Sequence, residues 1–305
     1  MNKIVALKLI VSACLIAWLL SRTPLTQIGT TLGSLHPAGA LGALALTLIA
    51  WWISALRLWC IAPEFRFGDV VQLTLVALYY STVLPGQVAG DVIKAHRLSK
   101  RQTQPGHAVA ATLVDRVVAT FALFFLGACA TPWVTQAPPE LTLLLVVVAV
   151  LFLLGIVLLA QTRGHTLLAR WKVPKQLARL PELLSRLLDG LHRLLKHPVR
   201  MFLCFLLALI FHGLCTAIQI QLAHAIGFSL PVAVWFLVYA GVALLMLLPI
   251  SIAGVGLREG GYVGLLGMFG VAAPQALALS LMLFAYTLLG ALLGWAAELM
   301  DRPRR

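Results

Sequence analysis

Two stretches of the chain, 164 residues apart, carry the residue types best suited to chemistry. Residues 84–94 read LPGQVAGDVIK and residues 248–258 read LPISIAGVGLR, so a proline, a glycine and a terminal cation fall in register. Each stretch breaks a short apolar run, at Pro85 or at Pro249. A helix restarting after Gly90 or Gly254 exposes unpaired backbone N–H groups and the positive end of its dipole. Glycine permits the tight turn and the close approach of a ligand. Lys94 and Arg258 add full cations in matching positions. Such a set of donors suits an anion, above all a phosphate. Gly86, Gly90, Asp91, Lys94, Gly254, Gly256, Arg258 and Glu259 are therefore the candidate substrate-binding residues. Pro85, Pro249, Asp115 and Arg116 are candidates for a structural or coupling role.

These charges admit three uses: binding a substrate, carrying a coupling proton or ion, or clamping the fold. Asp91 and Glu259 are the carboxylates nearest the two cations, and either could instead cap its own helix. Asp115 and Arg116, adjacent in sequence, are expected to form a third charged pair near mid-depth of their helix. Tyr79 and Tyr80 either line a cavity or pack between helices, and His212, Gln219, Gln221 and His224 suit hydrogen bonds between helices.

The elements that hold these residues must lie in a membrane. Of 305 residues 61% are hydrophobic and only 11% charged, whereas a soluble domain is about a quarter charged. The net charge is +13, but the cations sit between apolar runs, which points to orientation in a bilayer and away from nucleic acid. Runs long enough to cross are 38–61, 107–130, 141–161, 199–225 and 275–299. A sixth, 4–20, is shorter and holds Lys8; no small-residue cleavage site follows it, so an uncleaved first helix is expected. Cys14, Cys60, Cys129, Cys204 and Cys215 fall in apolar stretches without a CxxC pair, which argues against disulfide, zinc or haem chemistry. His96 and His107 stand in a basic segment without a metal-binding or nucleophile motif, so no cofactor and no enzymatic activity is expected.

Positive charge sets the expected orientation. Nine cations lie between 161 and 201, making that connection cytoplasmic, and the cation-free segment 131–140 lies outside. Both termini then fall in the cytoplasm with 20 of the 23 cations; Arg22, Arg116 and Arg258 are the exceptions. Parity requires 70–101 to enter and return from the cytoplasm, and 232–274 to do so from outside. The predicted fold is an all-α polytopic membrane protein with about six full spans and two broken or re-entrant hairpins. Its halves, 38–130 and 199–299, form an inverted repeat, a pattern of transporters. The connection 162–198 repeats leucines at helical spacing and Arg179, Arg186 and Arg193 every seventh residue. It is expected to lie on an anionic leaflet, to dock a partner, or simply to orient the chain.

The stretch LPGQVAGDVIKAHRL, the later Asp115–Arg116 and the stretch PISIAGVGLREGG together resemble the lysylphosphatidylglycerol synthetase transmembrane-region, or flippase-like, family. The likeness runs through nearly the whole chain, and the G-x-G-x-R-E ending at Glu259 is its more specific part. Ala89 stands where the family usually has a second glycine, and Lys94 where it has arginine, which keeps the charge but not the two-pronged geometry. The resemblance implies a bacterial inner-membrane protein that moves lipids with charged, phosphate-bearing headgroups between leaflets. The alternative it implies is a non-catalytic scaffold or accessory subunit for lipid-modifying or glycosyltransferase enzymes of lipid-linked glycan or hopanoid pathways. Membrane lipids, with those enzymes, are the expected partners. Synthetase members continue into a soluble aminoacyl-transfer domain; this chain ends at Arg305, so that activity is not expected of it.

Overall fold

The computed structural model describes residues 25–84, 88–101, 105–160, 179–247 and 254–300. These form eleven α-helices and no strand: α1 Leu25–Gly33, α2 Pro37–Ile61, α3 Phe67–Val83, α4 Ala89–Lys100, α5 Pro105–Ala130, α6 Pro139–Ala160, α7 Arg179–Leu195, α8 Pro198–Ile226, α9 Val232–Met246, α10 Leu257–Gly267 and α11 Ala273–Met300. Proline opens α2, α5, α6 and α8, where its missing N–H costs nothing. Gly227, at φ 95°, closes α8 in the left-handed conformation that a side chain would resist. The five runs of spanning length are all helical, as Pro37–Ile61, Gly106–Trp133, Pro139–Val157, Pro198–Ile226 and Ala273–Met300. The molecule is an all-helical, multi-pass membrane protein. The expected first span at 4–20, both termini, Pro85, Gly86 and Pro249 lie outside the described residues.

Packing follows a matched pattern. α2 runs along α8; α3 packs on α11 as α9 packs on α5; α4 returns onto α5 as α10 returns onto α11. The short limbs α3, α4, α9 and α10 have 17, 12, 15 and 11 residues, a rise of roughly 26, 18, 23 and 17 Å. Each falls short of a hydrocarbon core of about 30 Å.

Small residues allow these contacts. Gly39 lies against Ala225, Gly127 against Ala240, and Gly294 against the Leu75 carbonyl, where an added Cβ would come within 2.1 Å. One apolar core surrounds Trp235, Phe124, Leu222 and Leu279; a second, around Leu58, Leu73, Val76 and Leu98, joins α2, α3, α4 and α5. α6 instead presents Leu143, Val147, Leu151 and Leu154 outward, as expected of a lipid-facing helix.

Part of the leucine face of α7 packs against the protein's own helices. Leu188, Leu191 and Leu194 are buried, and the apolar cluster around Leu191 and Leu194 includes Val114 of α5 and Cys204 of α8. Gly190 brings the two helices together, since a Cβ there would stand 2.7 Å from Val114. The protein's own helices cover this part of the apolar stripe, while Leu184, Leu187 and Leu195 are half-buried.

Candidate functional site

The charged residues singled out in the sequence form two separate sets. The first gathers α2, α4 and α5. Asp91 Oδ1 lies 3.2 Å from Lys94 Nζ, one helical turn away, and Asp91 Oδ2 accepts from Arg116 Nη1 at 3.2 Å. Asp91 therefore bridges two cations and makes no side-chain cap bond at the α4 N-terminus. Lys94 is buried, whereas about half of the Arg116 side chain is exposed.

The expected Asp115–Arg116 pair does not form. Adjacent residues on a helix point roughly 100° apart, and each finds a partner on a different neighbour. Asp115 accepts from Arg57 of α2, Nε to Oδ1 at 2.6 Å and Nη2 to Oδ2 at 3.2 Å. Both residues are buried, at 3% and 5% exposure, and the Arg57 guanidinium also lies 5.4 Å from the Phe211 ring centre. Positive-charge counting places Arg57 with the cytoplasmic cations, whereas the structure buries it between helices. Its position inside an apolar run was the signal of an intramembrane role. Arg57, Lys94 and Arg116 thus meet Asp91 and Asp115, three cations against two carboxylates.

The second set is built at the start of α10. Gly254 and Gly256 take φ 76° and 87°, positions that favour glycine, and carry the chain into Leu257. The Gly256 N–H donates to Glu259 Oε2 at 2.7 Å, so this carboxylate does cap its helix. Its other oxygen accepts from Arg258 Nε at 3.1 Å, and Nε also reaches Ser280 Oγ at 3.3 Å. Arg258 lies over Phe284, 4.8 Å from the ring centre. This buried set is neutral within itself.

Gly90 differs from its counterpart. α4 begins at Ala89, not after Gly90, and Gly90 is a buried residue of the first turn. A Cβ there would stand 2.2 Å from both the Ala77 carbonyl and Ser81 Oγ, so the missing side chain serves the α3–α4 contact. It does not open a ligand approach.

No hydrogen bond or ion pair among the described residues joins the two sets. Their common element is α11. Arg258 meets it at Ser280, and Arg97, one turn beyond Lys94, pairs with Glu298 at 2.5 Å. Those contacts are 18 residues apart on α11, about 27 Å along its axis. Tyr80 donates to the same Glu298 at 3.2 Å, and Gln72 to the Ala297 carbonyl at 3.2 Å, so the tyrosine belongs to the α3–α11 seam.

Two of the polar residues of α8, His212 and Gln219, bond between helices. His212 Nε2 donates to the Ala119 carbonyl at 2.8 Å, which leaves Nδ1 to accept from Tyr239 Oη at 3.2 Å. Gln219 accepts from Tyr262 at 3.0 Å, while His224 is exposed.

Fold and site together define a polytopic α-helical membrane protein with two broken hairpins and charges buried at each. The chain belongs to the family described as the lysylphosphatidylglycerol synthase TM region, whose model matches residues 5–294. Membership sets it among membrane proteins related to lipid handling. A search of curated proteins gave no match to the chain.

Proposed function

We propose that the chain is a lipid flippase, moving a lipid with an anionic, phosphate-bearing headgroup across the bacterial inner membrane. One observation carries this reading. Arg57, Lys94 and Arg116 outnumber Asp91 and Asp115, so among the described residues one positive charge is left uncompensated beside the first broken hairpin. An uncompensated charge within a span is costly unless a counter-ion visits it. A phosphate oxygen at Arg116 and Lys94 would supply that counter-ion, and Asp91, which bridges the two, would yield its place. The neutral Arg258–Glu259 pair then holds the second hairpin and becomes available to the headgroup only when that hairpin opens. Halves 38–130 and 199–299, inserted in opposite senses with both termini cytoplasmic, would alternate exposure by rocking about the α2–α8 seam. No covalent chemistry is required of the chain.

The test is lipid movement in vesicles. Purified protein in liposomes should speed the exchange of a fluorescent phosphatidylglycerol between leaflets, and Arg116→Gln should slow it by about tenfold or more. Wild-type vesicles that exchange lipid no faster than protein-free ones, or than the Arg116→Gln vesicles, would rule the function out.

A further inference from the structure

A further charged region lies between the start of α5 and the last turns of α7. Arg186, Asp189, Arg193 and Lys196 follow one another at spacings of three, four and three, which puts them on a single stripe running off the end of α7. Burial of Leu188, Leu191 and Leu194 on α5 fixes how α7 is rolled about its axis. The stripe then borders a cavity of about 630 Å3 whose opposite wall is the first turns of α5, from Gly106 to Ala110. That volume lies within the usual range of small-molecule sites, about 300–1,000 Å3. Three permanent cations and one carboxylate line it from the α7 side, together with His192, and His107 lines it from α5. His107 stands 3.8 Å from Glu64, the nearest acidic group on the α2–α3 connection.

The position matters as much as the charge. Residues 107–110 open a spanning helix, and Lys196 lies two residues before α8, so the cavity stands at the ends of spans, where lipid headgroups lie. α5 contributes first-turn backbone N–H groups, which have no partner one turn earlier in their own helix. Along α5, Ala110 precedes Asp115 by five residues, about 7.5 Å, so the cavity is a near neighbour of the Arg57–Asp115 pair but shares no residue with it.

We propose that this cavity is a distinct anion site that takes a phosphate group, with Arg186 and Arg193 as its two principal ligands. Guanidinium groups match phosphate oxygens in pairs, and Asp189, between the two arginines on the stripe, keeps the empty site from being a bare concentration of positive charge. The phosphate belongs either to a lipid headgroup or to a free phosphate compound, and the chemistry of recognition is the same. The proposal does not depend on transport.

The test uses the full chain in phosphatidylcholine nanodiscs, titrated by calorimetry with inorganic phosphate and, separately, with dihexanoyl phosphatidylglycerol. At least one probe should bind saturably, with affinity reduced about tenfold or more in the R186Q/R193Q variant and partly restored in R186K/R193K. Binding of the phosphatidylglycerol alone assigns the site to a headgroup, and binding of phosphate alone to a soluble compound; both support the cavity. Should R186Q/R193Q fail to fold, as read by its melting temperature, Lys196→Gln at an exposed position is expected to weaken binding about threefold. Absence of saturable binding by both probes overturns the proposal, as does affinity unchanged in R186Q/R193Q or, in the fallback, in Lys196→Gln. Loss of binding in Lys94→Gln with retention in R186Q/R193Q would move the anion to the hairpin and overturn it too.

Discussion

Arg57 and Asp115 form a two-point ion pair between α2 and α5, at 2.6 and 3.2 Å, with both side chains buried. The pair ties α2 to α5, one residue from Arg116. Removing one partner leaves a buried charge without compensation. Arg57→Ala or Asp115→Ala should each lower stability by about 3–5 kcal/mol, read as thermal unfolding in detergent. The double apolar variant Arg57→Met/Asp115→Leu should recover most of that loss.

Gly90 tests the α3–α4 contact. With Ala77 O and Ser81 Oγ both 2.2 Å from an added Cβ, Gly90→Ala must push the two limbs apart and should cost about 1–3 kcal/mol. Gly213, within α8, has no heavy atom within 4 Å of the same position. Gly213→Ala should leave stability unchanged or raise it by up to about 1 kcal/mol through helix propensity.

Glu259 has three partners, the Gly256 N–H, the Arg258 guanidinium and, at 3.4 Å, the Ser280 hydroxyl. Glu259→Ala should therefore be as damaging as a broken buried pair, about 3–5 kcal/mol. Gly256→Ala, forced to keep φ near 87°, should cost about 1–2 kcal/mol. Unfolding midpoints of the two variants separate loss of the charge pair from loss of the turn.

Leu191 tests the docking of α7. Leu191→Asp puts a carboxylate into the apolar contact with Val114 and Cys204 and should release the helix. Limited trypsin digestion should then cut at Arg186 and Arg193 at least about tenfold faster than in the wild type, as local opening exposes the backbone. If α7 instead serves to hold a soluble enzyme, neutralising Arg179, Arg186 and Arg193 abolishes function while Lys94→Gln does not, the opposite of the transport reading.

Composition and periodicity were enough to determine the class of the molecule. Five apolar runs became five long helices because crossing a bilayer demands both the length and the apolarity that the runs display. The two proline–glycine stretches mark short limbs because a helix cannot run through them unaltered. Asp91 beside Lys94, and Glu259 beside Arg258, were legible for a related reason: both pairs lie within one turn of a single helix.

Partners on other helices were a matter for the tertiary structure. Asp115 took Arg57 in place of its sequence neighbour, because the direction in which a side chain leaves a helix is local but what stands in that direction is set by packing. Gly90 looks in sequence like Gly254, yet one fills a helix contact and the other a left-handed turn, a difference that depends on backbone angles and on the proximity of α3. The leucine stripe of α7 is equally amphipathic whether it meets lipid or protein. Only the fold, by placing Val114 and Cys204 opposite it, decided that it meets protein.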